Sequence, residues 1–332
     1  MSRRDAEALQ DTRPFAYGVT IVASALAAGG LAALEIRSLE YGWVLFLVVP
    51  YFIGFFASAV LRFWGPKPAR TSYWLAGSSA AVLALGFLIF GIEGLVCIAM
   101  AAPIAVPLVF LGAFCGYVLF HERALLSAAG ATALVLLLAA ATSGLERTFP
   151  LAVPTFTVTD SMTVAAPPDV VWQSLISMGS LGQPNDWIFR VGVACPQRVD
   201  IYGRGEGAMR VCTLSTGLLN EKITTWEPGQ RMRWVSLTTP APLKELNPFR
   251  EATPPHLHGF YRSVGGEFEL TPAGNGATRV TRRSSYQHHM YPAWYWRIWC
   301  DYVASRGHIY VLGVLKESAE RHRGPANLQA RR

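Results

Sequence analysis

The strongest constraint in this sequence is a series of long apolar runs confined to its first 145 residues, at 15–34, 42–61, 73–90, 95–120 and 125–141. A helix needs about 20 apolar residues to cross the hydrocarbon layer of a bilayer, so each run has the length and composition of a membrane span. The fourth run is overlong and carries Pro103 and Pro107. It is read either as one continuous span or as a stretch at 94–102 that lies along the interface or re-enters. About 26 residues cannot cross twice as helix, so five crossings follow in both cases. The first run is longer than a signal-peptide core and enters Leu34-Glu35-Ile36 with no small-residue cleavage site, so it is expected to stay attached.

Charge orients this bundle. Basic residues favour the cytoplasmic side, and alternate connections carry Arg3, Arg4, Arg13, Arg62, Lys67, Arg70 and Arg123 against Arg37 on the other side. An inside amino terminus and five crossings place everything after residue 141 outside, in the periplasm or at the outer surface if the cell is bacterial. Within the bundle, Glu93 falls in the short 91–94 connection and is read as interfacial. The pair Gly112-x-x-x-Gly116 admits close approach of another helix, and through it the bundle is expected to serve as an anchor able to form a homodimer.

The remainder of the chain meets a different solvent. Residues 1–145 hold 7 of the 22 acidic and 8 of the 29 basic residues, a balance of +1, and the rest carries +6. These basic residues are spread out, with no zinc-finger spacing or RNA-binding signature, so no nucleic-acid partner is expected. The five cysteines, at 97, 115, 195, 212 and 300, form no C-x-x-C and cannot build a disulfide scaffold. Cys195 and Cys212 flank a glycine-rich turn at similar distances and form a disulfide candidate if this part is extracytoplasmic.

After Thr148-Phe149-Pro150 the pattern turns to alternation. Val158, Asp160, Met162 and Val164 alternate with threonine and serine as in a strand. Ala166-Pro167-Pro168-Asp169 opens a short helix over 170–178. Strands are then predicted at 198–202, 207–215, 218–226, 231–238, 264–271 and 278–288, and a helix over about 292–321 with an apolar stripe of Tyr295, Ile298, Tyr302, Ile309, Leu312 and Leu315. Seven antiparallel strands and one long helix bury most apolar surface if the sheet curls around that helix.

Several segments carry a family likeness: Val164-Ala165-Ala166-Pro167-Pro168-Asp169-Val170-Val171-Trp172, Gly207-Ala208-Met209-Arg210, Glu221 to Pro228, Gly266-Glu267-Phe268-Glu269-Leu270, Thr278-Arg279-Val280 and Tyr286. With the element order they resemble the helix-grip superfamily of START, Bet v 1 and polyketide cyclase proteins, often called SRPBCC, over about residues 155 to 320. The chain is thus divided into a transmembrane helical bundle (1–145), a linker (146–154), an α+β helix-grip domain (155–322) with a seven-stranded antiparallel sheet, and a basic tail (323–332). The proline-rich excursion at 240–261 departs from a minimal grip.

If Phe268 and Val280 face inward, strand parity brings Arg282, Ser284, Tyr286 and His288 with them, and Glu221 accompanies Ile223. On the long helix Asp301 and His308 lie near the side carrying Ile298 and Leu312, with Tyr302 completing the candidate ligand-binding set. A buried Arg282 needs a partner, for which Glu221 and Asp301 are the candidates. The alternative to a ligand anchor is a structural ion pair. His256, His258 and His288 could approach one another as metal ligands, but adjacent strand histidines point to opposite faces, and neither a metal nor a cofactor is expected.

The five spans are expected to tether this domain to a membrane, and the resemblance implies that it binds or transfers a hydrophobic, lipid-like molecule with no covalent step. The enzymatic alternative is cyclase, dehydratase or hydrolase chemistry using Glu221, Tyr286 or His288 as acid or base. No phosphate loop, dinucleotide fingerprint, zincin motif or ordered Ser-His-Asp signature is present. A third reading is a scaffold or sensor that meets a protein through the 240–261 loop.

Overall fold

The computed structural model describes residues 13–38, 41–65, 67–121, 128–149 and 152–323. Arg3, Arg4 and Arg123, on which part of the orientation argument rests, and the tail from residue 324 lie outside them. The chain forms two compact units.

The first unit contains α1 (Arg13–Arg37), a π-helical turn (Val44–Val48) running into α2 (Val49–Arg62), α3 (Ala69–Phe90), α4 (Leu95–His121) and α5 (Ala128–Thr148). Among the described residues, five helices are long and apolar enough to cross a membrane. α4 runs unbroken through Pro103 and Pro107, so the interfacial or re-entrant stretch at 94–102 is not formed. α3 stops where Gly91 adopts the left-handed conformation at φ 67° and its N–H donates back to Leu88 O at 3.1 Å, a step that glycine takes without side-chain strain.

Glycine also sets the packing of α2 on α4. A Cβ built on Gly54 would lie 1.9 Å from Val109 O, and one on Gly112 would lie 2.0 Å from Tyr51 O. Ser58 Oγ donates to Ala113 O at 3.0 Å across the same contact. The helix admitted by Gly112-x-x-x-Gly116 is therefore α2 of the same chain.

Glu245–Pro255 and Met290–Pro292 cluster with these helices. The Glu245 carboxylate accepts from Val96 N–H at 3.2 Å and Cys97 N–H at 3.1 Å, capping α4, and Leu95 N–H donates to Leu246 O at 2.8 Å. Asn247 Nδ2 donates to Leu88 O at 2.9 Å. Glu93 is buried beside this cap and accepts from Tyr41 OH at 3.4 Å. Burial, reinforced by the Glu245 charge, pushes its carboxyl up to about 8, with the Tyr41 bond opposing.

The second unit holds β1 (Thr155–Val164), α6 (Pro168–Ile176), β2 (Gly179–Ser180), α7 (Trp187–Arg190), β3 (Pro196–Tyr202), β4 (Met209–Leu214), β5 (Gly217–Glu227), β6 (Arg231–Ser236), β7 (Tyr261–Pro272), β8 (Thr278–His288) and α8 (Ala293–Arg323). The strands form one antiparallel sheet of eight in the order β1-β8-β7-β6-β5-β4-β3-β2. The eighth strand, β2, is two residues paired with Val199 and Arg198, too short to show alternation in the sequence. α8 bonds near both edges of this sheet: Lys316 Nζ donates to Thr163 O of β1 at 3.1 Å, and Tyr310 OH donates to Leu181 O just beyond β2 at 2.7 Å. One helix can meet both edges only if the sheet curls, which is the helix-grip arrangement.

The carboxyl-terminal half of α8 closes the core. Leu312, Leu315 and Ala319 pack with Val164, Val171, Trp172, Ile223, Met232, Phe268 and Val280. The apolar stripe read from the sequence is corrected here: Ile298 is 59% exposed, Tyr302 40% and Ile309 41%. The inward line instead passes through Asp301, Ser305, His308, Leu312 and Leu315, at steps of three and four.

Enlarging Gly112 tests the helix contact. Gly112→Leu should lower the stability of the purified protein by at least about 1–3 kcal/mol, the range for overpacking a close contact. A melting curve in detergent unchanged from the wild type would count against the contact.

Candidate functional site

Strand register brings a row of polar side chains onto the concave face of the second unit. β8 sets Val280, Arg282, Ser284, Tyr286 and His288 in one phase, and β1 places Asp160 directly opposite Arg282. On the other flank Phe268 lies opposite Arg282 and Gly266 opposite Ser284, followed by Met232 and Trp234 on β6. The polar row begins where the Leu312–Leu315 packing ends.

The first element of the row is an ion pair. Arg210 and Glu221 are directly paired across β4 and β5, 3% and 2% exposed, and bonded through Nη1 and Oε2. The Arg210 guanidinium also lies 4.5 Å over the Trp234 ring. Burial pushes the Glu221 carboxyl up, opposed by Arg210, then by the Arg282 charge and the indole N–H of Trp234. The expected partner of Arg282 is thus already engaged with Arg210. The other expected partner, Asp301, accepts from Tyr286 OH at 2.6 Å and from Arg297 Nε at 3.0 Å.

Arg282 has neither partner. Its Nε and Nη1 are closed off from solvent and bond to nothing among the described residues. The guanidinium sits 5.4 Å over the Phe268 ring. Burial and then the Arg210 charge push its pKa down to about 10, with Cys212, Glu221 and Asp160 opposing, so it remains a cation at neutral pH.

Beside it, three elements meet. His308 on α8 is 2% exposed; its Nδ1 lies 2.8 Å from Asp160 Oδ2 and its Nε2 lies 2.8 Å from Ser284 Oγ. Ser305 Oγ donates to the other Asp160 oxygen at 2.8 Å. Burial, then the Arg282 charge, pushes the imidazole well below its ordinary pKa and leaves it neutral. With Asp160 accepting, the hydrogen resides on Nδ1 and the Nε2 lone pair faces the Ser284 hydroxyl.

Farther along β8 the face is aromatic. Tyr286 stacks on Tyr261 at 5.5 Å, and His288 stacks on Phe156 at 5.2 Å. Burial and the bond to Asp301 push the Tyr286 hydroxyl up, against its use as a base at neutral pH.

Of the candidate ligand residues, Glu221, Phe268, Arg282, Ser284, Tyr286, His288, Asp301 and His308 belong to this interior, while Ile298 and Tyr302 are exposed. His256 and His288 are buried, His258 is exposed, and the three do not gather as a metal-ligand set among the described residues. Cys195 and Cys212 are free, buried thiols. Register places Cys212 opposite Val199 and Leu219, while Cys195, just before β3, accepts a backbone bond from Ser215, so the expected cross-strand pairing is absent. Asp160, Arg210, Trp234 and Ser305 were not among the candidates. Asp160 had a signal, an acidic residue in the apolar phase of β1.

No family model and no curated protein matches the sequence. Solved structures match its carboxyl-terminal half. An aromatase/cyclase from Streptomyces sp. R1128 is 17% identical at a TM-score of 0.36, covering 52% of this chain and 98% of its own. A norcoclaurine synthase point mutant from Thalictrum flavum is 11% identical at 0.35, covering 52% and 99%. A protein from Nitrosomonas europaea is 15% identical at 0.31, covering 50% and 96%. At such TM-scores the likeness carries no argument about activity, and the fold description stands on the sheet order and the helix it encloses.

Removing one member of the ion pair should be far worse than removing both. Arg210→Met alone should cost about 3–5 kcal/mol by leaving Glu221 buried and unpaired, and Arg210→Met with Glu221→Leu should regain most of it. Denaturant unfolding of the three proteins checks this, and a neutral single substitution would contradict the pairing.

Proposed function

We infer that this protein holds a hydrophobic small molecule with an anionic end group against the concave face of its second unit, and that the helical unit tethers it to a membrane. The observation that carries the reading is Arg282. Two buried guanidinium nitrogens without partners are costly to leave unmatched. A carboxylate or phosphate fits the planar fork through paired hydrogen bonds, and Phe268, Trp234 and Met232, buried in the core, pack around this position.

The tether is supported by the five long apolar helices. Arg62, Lys67 and Arg70 on one connection support an amino terminus inside the cell and the second unit outside it. A reporter fused after Arg332 should then be active only outside the cytoplasm, and cytoplasmic activity would overturn this orientation. The scaffold alternative has less support, since Leu246 and Asn247 of the inserted loop are already bonded within the helical unit.

Organic extraction of the purified full-length protein, followed by mass spectrometry, tests the binding reading. An anionic lipid-like molecule should be recovered near one per protein from the wild type and lost from Arg282→Met. A folded wild type that repeatedly yields no such molecule would overturn it.

A further inference from the structure

Ser284, His308 and Asp160 come from β8, α8 and β1 and meet in a linear hydrogen-bonded relay, serine hydroxyl to imidazole Nε2 and imidazole Nδ1 to carboxylate, at 2.8 Å for each link. Each link is the one that nucleophilic catalysis requires. The base accepts at Nε2 because Asp160 fixes the hydrogen on Nδ1, and Ser305 holds Asp160 in turn.

The surroundings distinguish this relay from a merely satisfied buried histidine. Ser284 is half-buried. Its neighbour on β7 is Gly266, where a Cβ would lie 2.8 Å from the Trp234 ring, so the indole covers the glycine and forms an apolar floor beside the hydroxyl. Arg282, two residues along the same face of β8, holds Nε and Nη1 closed off from solvent and without a hydrogen-bond partner among the described residues. A preorganised cation next to a nucleophile is suited to stabilise an oxyanion.

We propose that the second unit is a serine esterase for hydrophobic acyl esters, with Ser284 as nucleophile, His308 as general base and acid, Asp160 as the positioning residue and Arg282 as the oxyanion partner. Ser284 Oγ adds to the acyl carbonyl carbon while its proton passes to His308 Nε2, and the carbonyl electron pair becomes an oxyanion facing Arg282. The bond from carbon to the alkoxy oxygen breaks as the oxyanion collapses, and the leaving alkoxide takes the proton from His308. Water then adds to the acyl-Ser284 carbonyl, giving its proton to Nε2. The carbon–Oγ bond breaks, Oγ recovers the proton, and the fatty acid departs. Ester and water become acid and alcohol, with no redox change. The assignment rests on the apolar-ligand reading of the concave face, and the acid released has the chemistry inferred for the molecule held against Arg282.

The test uses full-length protein in detergent, a fluorescent alkyl fluorophosphonate and p-nitrophenyl decanoate. The wild type should be labelled stoichiometrically, with the adduct mapped to Ser284, and should cleave the ester. Ser284→Ala should lose labelling and lower turnover by at least about 100-fold, while Ser285→Ala, whose hydroxyl bonds to Thr157 Oγ1 at 2.9 Å, should keep both. Asp160→Asn should lower kcat with KM little changed, a split that loss of packing alone does not give. Folded wild type that takes no label, or Ser284→Ala that labels and turns over unchanged, overturns the proposal. A co-purifying lipid without labelling would remove the esterase and leave the binding reading standing.

Discussion

Charge inside the concave face governs the second unit. A guanidinium or carboxylate withdrawn from water must find compensation within hydrogen-bond reach, and the curled sheet alone supplies only part of it. Arg210 and Glu221 satisfy each other across β4 and β5. Asp160 is satisfied by His308 and Ser305, and Tyr286 by Asp301, all from α8. The helix therefore does more than fill the core with Leu312 and Leu315: its amino-terminal half completes the polar interior. Arg282 is the cation this scheme leaves over, and both functional readings follow from that remainder.

The helical unit obeys a different rule. With these helices in a bilayer, as proposed, no hydrophobic drive separates helix from solvent, so close backbone approach and internal hydrogen bonds decide which helices meet. Gly54 and Gly112 permit that approach between α2 and α4. The polar ends are handled by the chain itself, with Glu245 and Leu246 serving the first turn of α4.

Much of this was legible before any coordinates. Apolar length marked five helices, and strict alternation put Arg282, Ser284, Tyr286 and His288 in the same phase as Val280. What alternation cannot set is which residue of a neighbouring strand lies opposite, because that depends on register, and register shifts at Ile223 to Thr225 and Ser263 to Gly265. Parity alone leaves Glu221 and Asp301 as candidate partners of Arg282, when the geometry gives Glu221 to Arg210 and Asp301 to Tyr286 and Arg297. The stripe on α8 failed for a related reason. Tyr302 and Ile309 drew the line by their apolarity, whereas the inward positions are Asp301 and His308, one residue away and about 100° around the helix. Those two face inward because of bonds to Tyr286 and Asp160, contacts between distant elements that no local pattern announces.

The account stands on Arg282 as the seat of an anionic end group. The most direct measurement is the affinity of full-length protein in nanodiscs for a long-chain carboxylate and for the primary alcohol of the same chain length. The carboxylate should bind at least about tenfold more tightly, a difference of about 1.4 kcal/mol, and Arg282→Met should erase the preference. Equal affinities in the wild type, or a preference that survives in Arg282→Met, would contradict it.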